Sequence, residues 1–246
     1  MKVLALDSSG LVASVALVEG TPKASSLLAE YTLNYKKTHS QTLLPMLDEI
    51  VRMTELDLKT VDAIAVASGP GSFTGLRIGS ATAKGLGFAL DRPLAAVPTL
   101  EALAYNLFGT DRLICPLMDA RRNQVYTGIY EFEGECLKIL HSPMAADIAE
   151  VADLLCGFGR DVIFLGDGVP VYKERLQELM ADRMQSAGVQ TLWAPAHLNK
   201  QRAGAVGARA LWYLWEGNTQ TAAEHTPEYL RLSQAERERA EQEEKS

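Results

Sequence analysis

The sequence predicts an α/β protein of two lobes, each with the order β-β-β-α-β-α and a mixed sheet. Three observations carry this. A short apolar strand, 3–7, ends on Asp7, turns at Ser8-Ser9-Gly10 and returns as a second apolar strand, 11–18. The same strand–Asp–turn–strand pattern recurs as 113–119, Ala120 to Asn123, and 125–132. A glycine, Gly20 in the first half and Gly134 in the second, then turns each half into a third strand, 24–32 or 136–141.

The acid at the end of the first strand has two readings. The turn's N–H and hydroxyl groups share a crevice with Asp7, as a nucleotide phosphate or Mg²⁺ site needs. Equally, Asp7 caps a plain hairpin turn. Residues 38–54 follow as an amphipathic helix, with Leu43, Leu47, Ile50 and Thr54 on one face and Leu44 and Val51 beside them. Ser40 or Thr42 is the expected cap, and Pro45 fits only the first turn or a kink.

An apolar strand, 61–68, leads through a glycine turn into a helix that stops at Asp91-Arg92-Pro93. Gly75, Gly79, Gly85 and Gly87 lie inside this helix, and each costs about 0.8–1 kcal/mol relative to Ala. Gly75, Gly79, Ala83 and Gly87 are four apart and form a stripe almost free of side chains. Such a stripe lets the helix lie flat on its own sheet, or lets a partner helix approach. Gly69, Gly71, Ser72 and Thr74 at its start resemble an anion cradle, but neither a Walker GK[ST] nor GxGxxG is present.

Thr99 is the expected cap of a helix over 100–108, and the boundary between lobes 1–110 and 111–232 falls after it. In the second lobe a helix at 147–156, a strand at 162–165, the turn Gly166-Asp167-Gly168 and a helix near 171–184 complete the repeat. The apolar helix 203–215 is expected to close that lobe, with Trp212 and Trp215 in its core. Residues 226–231 read as extended, and 233–246 as a charged, frayed or disordered tail. Two-lobed folds of this kind include actin, Hsp70 and the sugar kinases. Asp7, Asp119 and the Gly166-Asp167-Gly168 turn stand where that superfamily carries phosphate and metal contacts, an analogy of fold alone.

The chain has 246 residues, 47% of them hydrophobic, enough for two compact cores. No apolar run reaches the length of a membrane span, and the start MKVLALDSS reaches an acid too early for a signal peptide. Three cysteines without a CxxC predict reduced thiols, and hence a cytoplasmic protein. The net charge of −7 argues against a stand-alone nucleic-acid binder, so any RNA contact depends on a partner. The small basic groups Lys36-Lys37, Arg121-Arg122, and Lys200 with Arg202 read as solvated surface.

The strings LALDSS, HSQTLLP, GPGSFTGLRIG, DARRNQVY and PEYLR, in this order, resemble the TsaB (YeaZ) family over most of the chain. The resemblance implies a cytoplasmic protein with the actin-like two-lobed fold that homodimerises or pairs with its paralogue TsaD. Together with TsaD and the ATPase TsaE, it implies a part in moving a threonylcarbamoyl group from its adenylate onto N6 of adenosine 37 (t6A37) in tRNAs reading codons that begin with A. In that scheme TsaD is catalytic, this subunit is required but non-catalytic, and tRNA is met only through the complex.

The sequence gives its own reason for a degenerate site. The paralogue carries HxxxH on the first helix, two imidazoles one turn apart that can share a metal. Here His39 is followed four positions later by Leu43, and His141, His197 and His225 lie in unrelated segments. No metal site is therefore expected. The resemblance also implies a four-helix bundle formed by the first helix and the striped helix of each partner. The interface residues it implies are His39, Leu43, Leu44, Leu47, Phe73, Gly75, Arg77, Gly79 and Ala83. On this reading Gly79→Leu would separate the pair without unfolding the chain.

The candidate phosphate or nucleotide residues are Asp7, Ser8, Ser9, Gly71, Ser72, Asp119, Gly166 and Gly168. No cofactor is expected to be firmly bound, and ATP or ADP is placed at or near the partner interface. The competing reading is an active ATP-dependent small-molecule kinase of the same fold, using Asp7 and Asp119 with Mg-ATP. Adenine- and sugar-binding residues for it are not evident in the sequence.

Overall fold

The computed structural model describes residues 1–35, 37–121, 123–186 and 189–231. The expected tail, Lys36 and Arg122 lie outside them. The first sheet is built from β1 (Lys2–Asp7), β2 (Ala13–Thr21), β3 (Ala24–Leu33), β4 (Ala63–Gly69) and β5 (Leu94–Pro98), in the order β3-β2-β1-β4-β5. The second contains β6 (Leu113–Asp119), β7 (Gln124–Glu133), β8 (Cys136–Asp147), β9 (Val162–Leu165) and β10 (Thr191–Trp193), in the order β10-β9-β6-β7-β8. Read from the opposite edge, the second order repeats the first. In each sheet the central strand, β1 or β6, pairs antiparallel with the next strand and parallel with the fourth. The α/β fold of two lobes with duplicated mixed sheets, expected from the sequence, is what the chain adopts.

The first sheet is covered on both faces, which is why β1 and β4 read as continuous apolar runs. Leu4 and Leu6 of β1 face α1 (His39–Met53) and α2 (Phe73–Leu90), together with Val66 of β4. Val3 and Ala5, with Ala16, Ala65, Ala67 and Ala95, face α6 (Ala203–Trp215). In the second sheet Leu113, Cys115 and Leu117 pack under α4 (Ile148–Phe158) and α5 (Val169–Ser186). The other face meets α3 (Thr99–Tyr105), whose Leu100 and Leu103 pack with Ile114 and Tyr130.

The expectation that 203–215 closes the second lobe is corrected, because α6 lies across the first sheet. The alanine-rich face of that sheet leaves room for a close helix, and Gly207 sits flat against Val18. Ala203 N donates to Ser14 Oγ at 2.9 Å and Gly204 N to Glu30 Oε1 at 2.8 Å, so strands β2 and β3 hold the helix start. Arg202 adds an ion pair to Glu30. The expected core role of Trp215 is also corrected: it is 69% exposed, while Trp212 Nε1 donates to the Tyr105 hydroxyl at 3.1 Å.

Smaller differences have local causes. The N-cap of α1 is Thr38, not Ser40 or Thr42, and Thr42 Oγ1 bonds back to the Thr38 carbonyl at 3.3 Å. Pro45 lies within α1 rather than in its first turn. Pro98, not Thr99, caps α3. The strand expected at 136–141 runs on to Asp147 because β7 continues to pair with it through two register shifts.

Candidate functional site

An open cleft of about 1740 Å³ lies between the two sheets' strand ends. Its first-lobe wall is the β1–β2 turn, the start of α1 and the start of α2; its second-lobe wall is the β6–β7 turn, Asp167 and the start of α5. Ser9, Gly71, Ser72, Asp119 and Asp167 therefore meet across one space. The sequence reading brought the two aspartate turns to one site but passed over Asp167 itself.

Asp7 is not on the wall of this cleft. It is buried at the end of β1, and its Oδ1 accepts from Ser9 N at 2.9 Å and from Ser9 Oγ at 2.7 Å. Its Oδ2 has no partner among the described residues. Burial pushes the carboxyl up to about 6, against the opposing pull of the two Ser9 bonds and of His39. Asp167 is also pushed up, chiefly by burial; the Asp119 amide that donates to it and the charge of Lys200 oppose this, while the Asp119 carboxylate adds to it.

Several of the turn donors are already in use. Ser8 Oγ donates to the Gly75 carbonyl at 2.8 Å, Ser9 N and Oγ both go to Asp7, and Ser72 N donates to the Ser9 carbonyl at 2.7 Å. On the other wall Gly168 N donates to the Leu117 carbonyl at 2.9 Å, and Gly166 N to Asn199 at 2.8 Å (carbonyl) and 3.0 Å (Oδ1). A phosphate at the Ser9, Gly166 or Gly168 amides would have to displace bonds inside the protein, whereas Gly71, Phe73 and Thr74 at the start of α2 line the open cleft. Asp119 Oδ1 accepts from Arg121 N at 2.8 Å and caps its own turn.

His39 stands at the cleft edge, with Nε2 2.9 Å from the Gly10 carbonyl. A carbonyl accepts, so Nε2 carries the proton and Nδ1 is left buried, without a partner among the described residues. Gln201 lies against Gly10, and both its amide atoms are likewise unpartnered among the described residues. This buried carboxamide was missed by sequence reasoning, which had no local signal for it. Among the described residues no group of three His, Cys, Asp or Glu side chains is placed to hold a metal ion.

The partner-facing stripe is corrected. Gly75, Gly79, Ala83 and Gly87 do share one face, but it is the face pressed on the chain's own sheet and turns. A Cβ at Gly75 would overlap the Ser8 carbonyl, and one at Gly79 the Ser8 hydroxyl. Leu43, 1% exposed, and Leu47 likewise belong to the first lobe's own core. What α1 and α2 offer outward keeps Leu44 and Arg77 of the expected set and adds others. Leu44 is 57% exposed, and Arg77, Ala81, Gly85 and Phe88 line the outer side of α2. Gly85 is the informative one, since nothing within 4 Å would meet a Cβ there. Phe73 and Arg77 are engaged within the chain: Arg77 lies over the Phe73 ring at 3.9 Å, and Tyr229 packs on the same ring at 4.8 Å.

A family model described as "TsaD: tRNA N6-adenosine threonylcarbamoyltransferase" matches residues 26–239. The tRNA threonylcarbamoyladenosine biosynthesis protein TsaB of Bacillus subtilis is 34% identical over 183 residues, 74% of this chain and 78% of that protein. The protein of the same name from Haemophilus influenzae is 40% identical over 129 residues, 51% of this chain and 52% of its own. The solved structure of YeaZ from Pseudomonas aeruginosa superposes with a TM-score of 0.74 at 29% identity, covering 93% of this chain and 99% of that one.

Proposed function

Because this chain belongs to the TsaB (YeaZ) family, we propose that it is the non-catalytic partner subunit of a bacterial tRNA N6-adenosine threonylcarbamoyltransferase complex. In that complex it acts with TsaD and TsaE to form t6A37 in tRNAs that read codons beginning with A. It meets TsaD, or a second copy of itself, through the outer sides of α1 and α2. It holds no nucleotide tightly by itself, and ATP or ADP of the complex lies at or near the paired helices. It works in the cytoplasm and touches tRNA only within the complex. No helix among the described residues is long and apolar enough to cross a membrane.

The observation that carries the pairing reading is Gly85. A glycine in the interior of an exposed helix costs about 1 kcal/mol against Ala, and nothing among the described residues occupies the space above it. With Ala81 one turn before, it lets a neighbouring helix come close, while Leu44 and Phe88 supply apolar area at the edges. For the non-catalytic part, two residues speak. The position that would pair with His39 on α1 is Leu43, held in the core, and one ring nitrogen of His39, Nε2, is committed to Gly10.

Mixing the purified chain with TsaD and measuring the mass and stoichiometry of the product tests this. A one-to-one complex is expected, and Gly85→Leu should stay folded yet elute apart. Co-elution of that variant would defeat the pairing surface. Calorimetric titration of the isolated chain with Mg-ATP tests the other half: submillimolar binding with substrate-stimulated turnover would favour a kinase instead.

A further inference from the structure

Beyond α6 the chain returns across the first lobe as an irregular strap, 216–231. Gln220 pairs with the edge strand β5 through two bonds to Leu94, at 2.8 and 2.9 Å. Ala222 enters the core beside Gly87. Lys84 Nζ donates to the carbonyls of Ala223 at 3.3 Å and His225 at 2.8 Å. Buried His225 has Nδ1 at 3.0 Å from Gln220 Oε1. Glu228 N donates to the Ser68 carbonyl at 2.7 Å, against Gly69, whose φ of +130° and lack of a Cβ admit the strap backbone. Tyr229 then packs its ring, tilted, against Phe73, and its hydroxyl accepts from Arg77 Nε at 3.3 Å.

After this series the strap reaches the other lobe. Arg231 Nη1 donates to the carbonyl of Ala120, in the β6–β7 turn, at 3.2 Å, and its guanidinium lies 6.0 Å from the Tyr126 ring centre. Tyr229, Leu230 and Arg231 all line the cleft. Among the described residues the attachment is thus many bonds deep on the first lobe and one side chain deep on the second.

We propose that this strap is an intramolecular latch that sets the opening of the cleft, with Tyr229 as its grip on the first lobe and Arg231 as its releasable catch on the second. The lobes share the joint at α3, whose Leu100 and Leu103 pack on the second sheet while Glu101 bonds to α6, so the motion between them is a hinge about α3, and a bond across the cleft biases one setting of it. The contact asymmetry is what a catch requires: the arm stays in place when the tip lets go. Because the grip is on the first turns of α2, anything that moves Phe73 or Arg77 is passed through Tyr229 to the tip. The inference stands on the chain alone, whether or not the pairing reading holds.

The test uses the full chain with nitroxide labels at Gln41→Cys on α1 and Glu174→Cys on α5, both exposed, in a background with Cys136→Ser and Cys156→Ser. Pulsed dipolar spectroscopy reads the distance between the lobes. The unaltered strap should give one narrow distribution, and Arg231→Ala a distribution about twofold broader with a longer tail, at an unchanged melting temperature. Tyr229→Phe, which keeps the ring contact and loses the Arg77 bond, should fall between. A distribution that Arg231→Ala leaves unchanged would overturn the latch. If Tyr229→Ala fails to fold, Arg231→Ala still decides, because among the described residues the contacts it removes are those to Ala120 and Tyr126.

Discussion

The hydroxyl of Ser8 donates to the carbonyl of Gly75 at 2.8 Å, both groups buried, so the turn after β1 is bolted to the first turn of α2. The bond explains two features at once. It takes up a donor that a phosphate would have needed, and it draws α2 so near that a side chain at position 75 or 79 has nowhere to go. At Ser8 and Gly75 the crevice is, in space, a backbone-to-helix seam, while Ser9, Gly71 and Ser72 beside it face the open cleft.

The two kinds of glycine in α2 should separate by measurement. Gly79→Leu meets the Ser8 hydroxyl and should lower stability by about 3 kcal/mol or more, the upper range for overpacking. Gly85→Ala enters open space and should raise it by about 0.8–1 kcal/mol. Chemical denaturation of both variants decides this. Equal small effects would mean that α2 is not seated as described.

Asp7 should make the fold weaker as pH rises. Its carboxyl is raised from 3.8 to about 6 by burial, so between these values the folded chain holds a proton that the unfolded chain has lost. Stability therefore falls as pH climbs through that window and levels off above it, by about 3 kcal/mol for a shift of this size. Asp7→Asn keeps an acceptor for Ser9 and removes the titration. Its stability advantage over the unaltered chain should grow between pH 4 and 7 and then hold constant; a difference independent of pH would show that the carboxyl is not desolvated.

The duplicated fold was legible because each half writes the same punctuation, an apolar strand closing on Asp7 or Asp119 and a turn of small residues. The helix stripe was legible as a stripe, yet its direction was not. Gly75, Gly79, Ala83 and Gly87 predict a close approach without saying to what, and the Ser8 turn that fills the space is far away in sequence. For α6 the failure was similar. Its apolar composition marks it as buried, but the alanines that receive it belong to β1, β2, β4 and β5. Gln201 carries no local pattern at all, and Arg231 is marked only as the end of the PEYLR string; their neighbours in space give both their meaning.

The placement of α6 yields its own test. Glu101 of α3 is buried and accepts from Arg209 Nε at 3.0 Å and from the Tyr213 hydroxyl at 3.1 Å, both on α6. Arg209→Met removes the cation and leaves the carboxylate buried with one neutral donor, which should cost roughly 3–5 kcal/mol. Adding Glu101→Gln should recover part of that loss, since the buried charge goes too. A double variant no better than the single one would mean that the two residues do not act as a pair.

Leu44 makes the sharpest division between folding and pairing. It sits next to Leu43 on α1, yet the helical turn points Leu43 into the first core and Leu44 outward. Leu43→Ala should cost about 2–5 kcal/mol of stability, as emptied core sites do. Leu44→Glu should leave the melting temperature nearly unchanged, because the new charge stays in water. If the outer sides of α1 and α2 meet a partner helix, that same charge is buried without a counter-ion, and affinity for TsaD should drop at least about 100-fold, roughly 3 kcal/mol. Binding measured by light scattering or calorimetry on the folded variant reads the difference. Undiminished affinity would move the contact off these helices, whatever the stability of the variant.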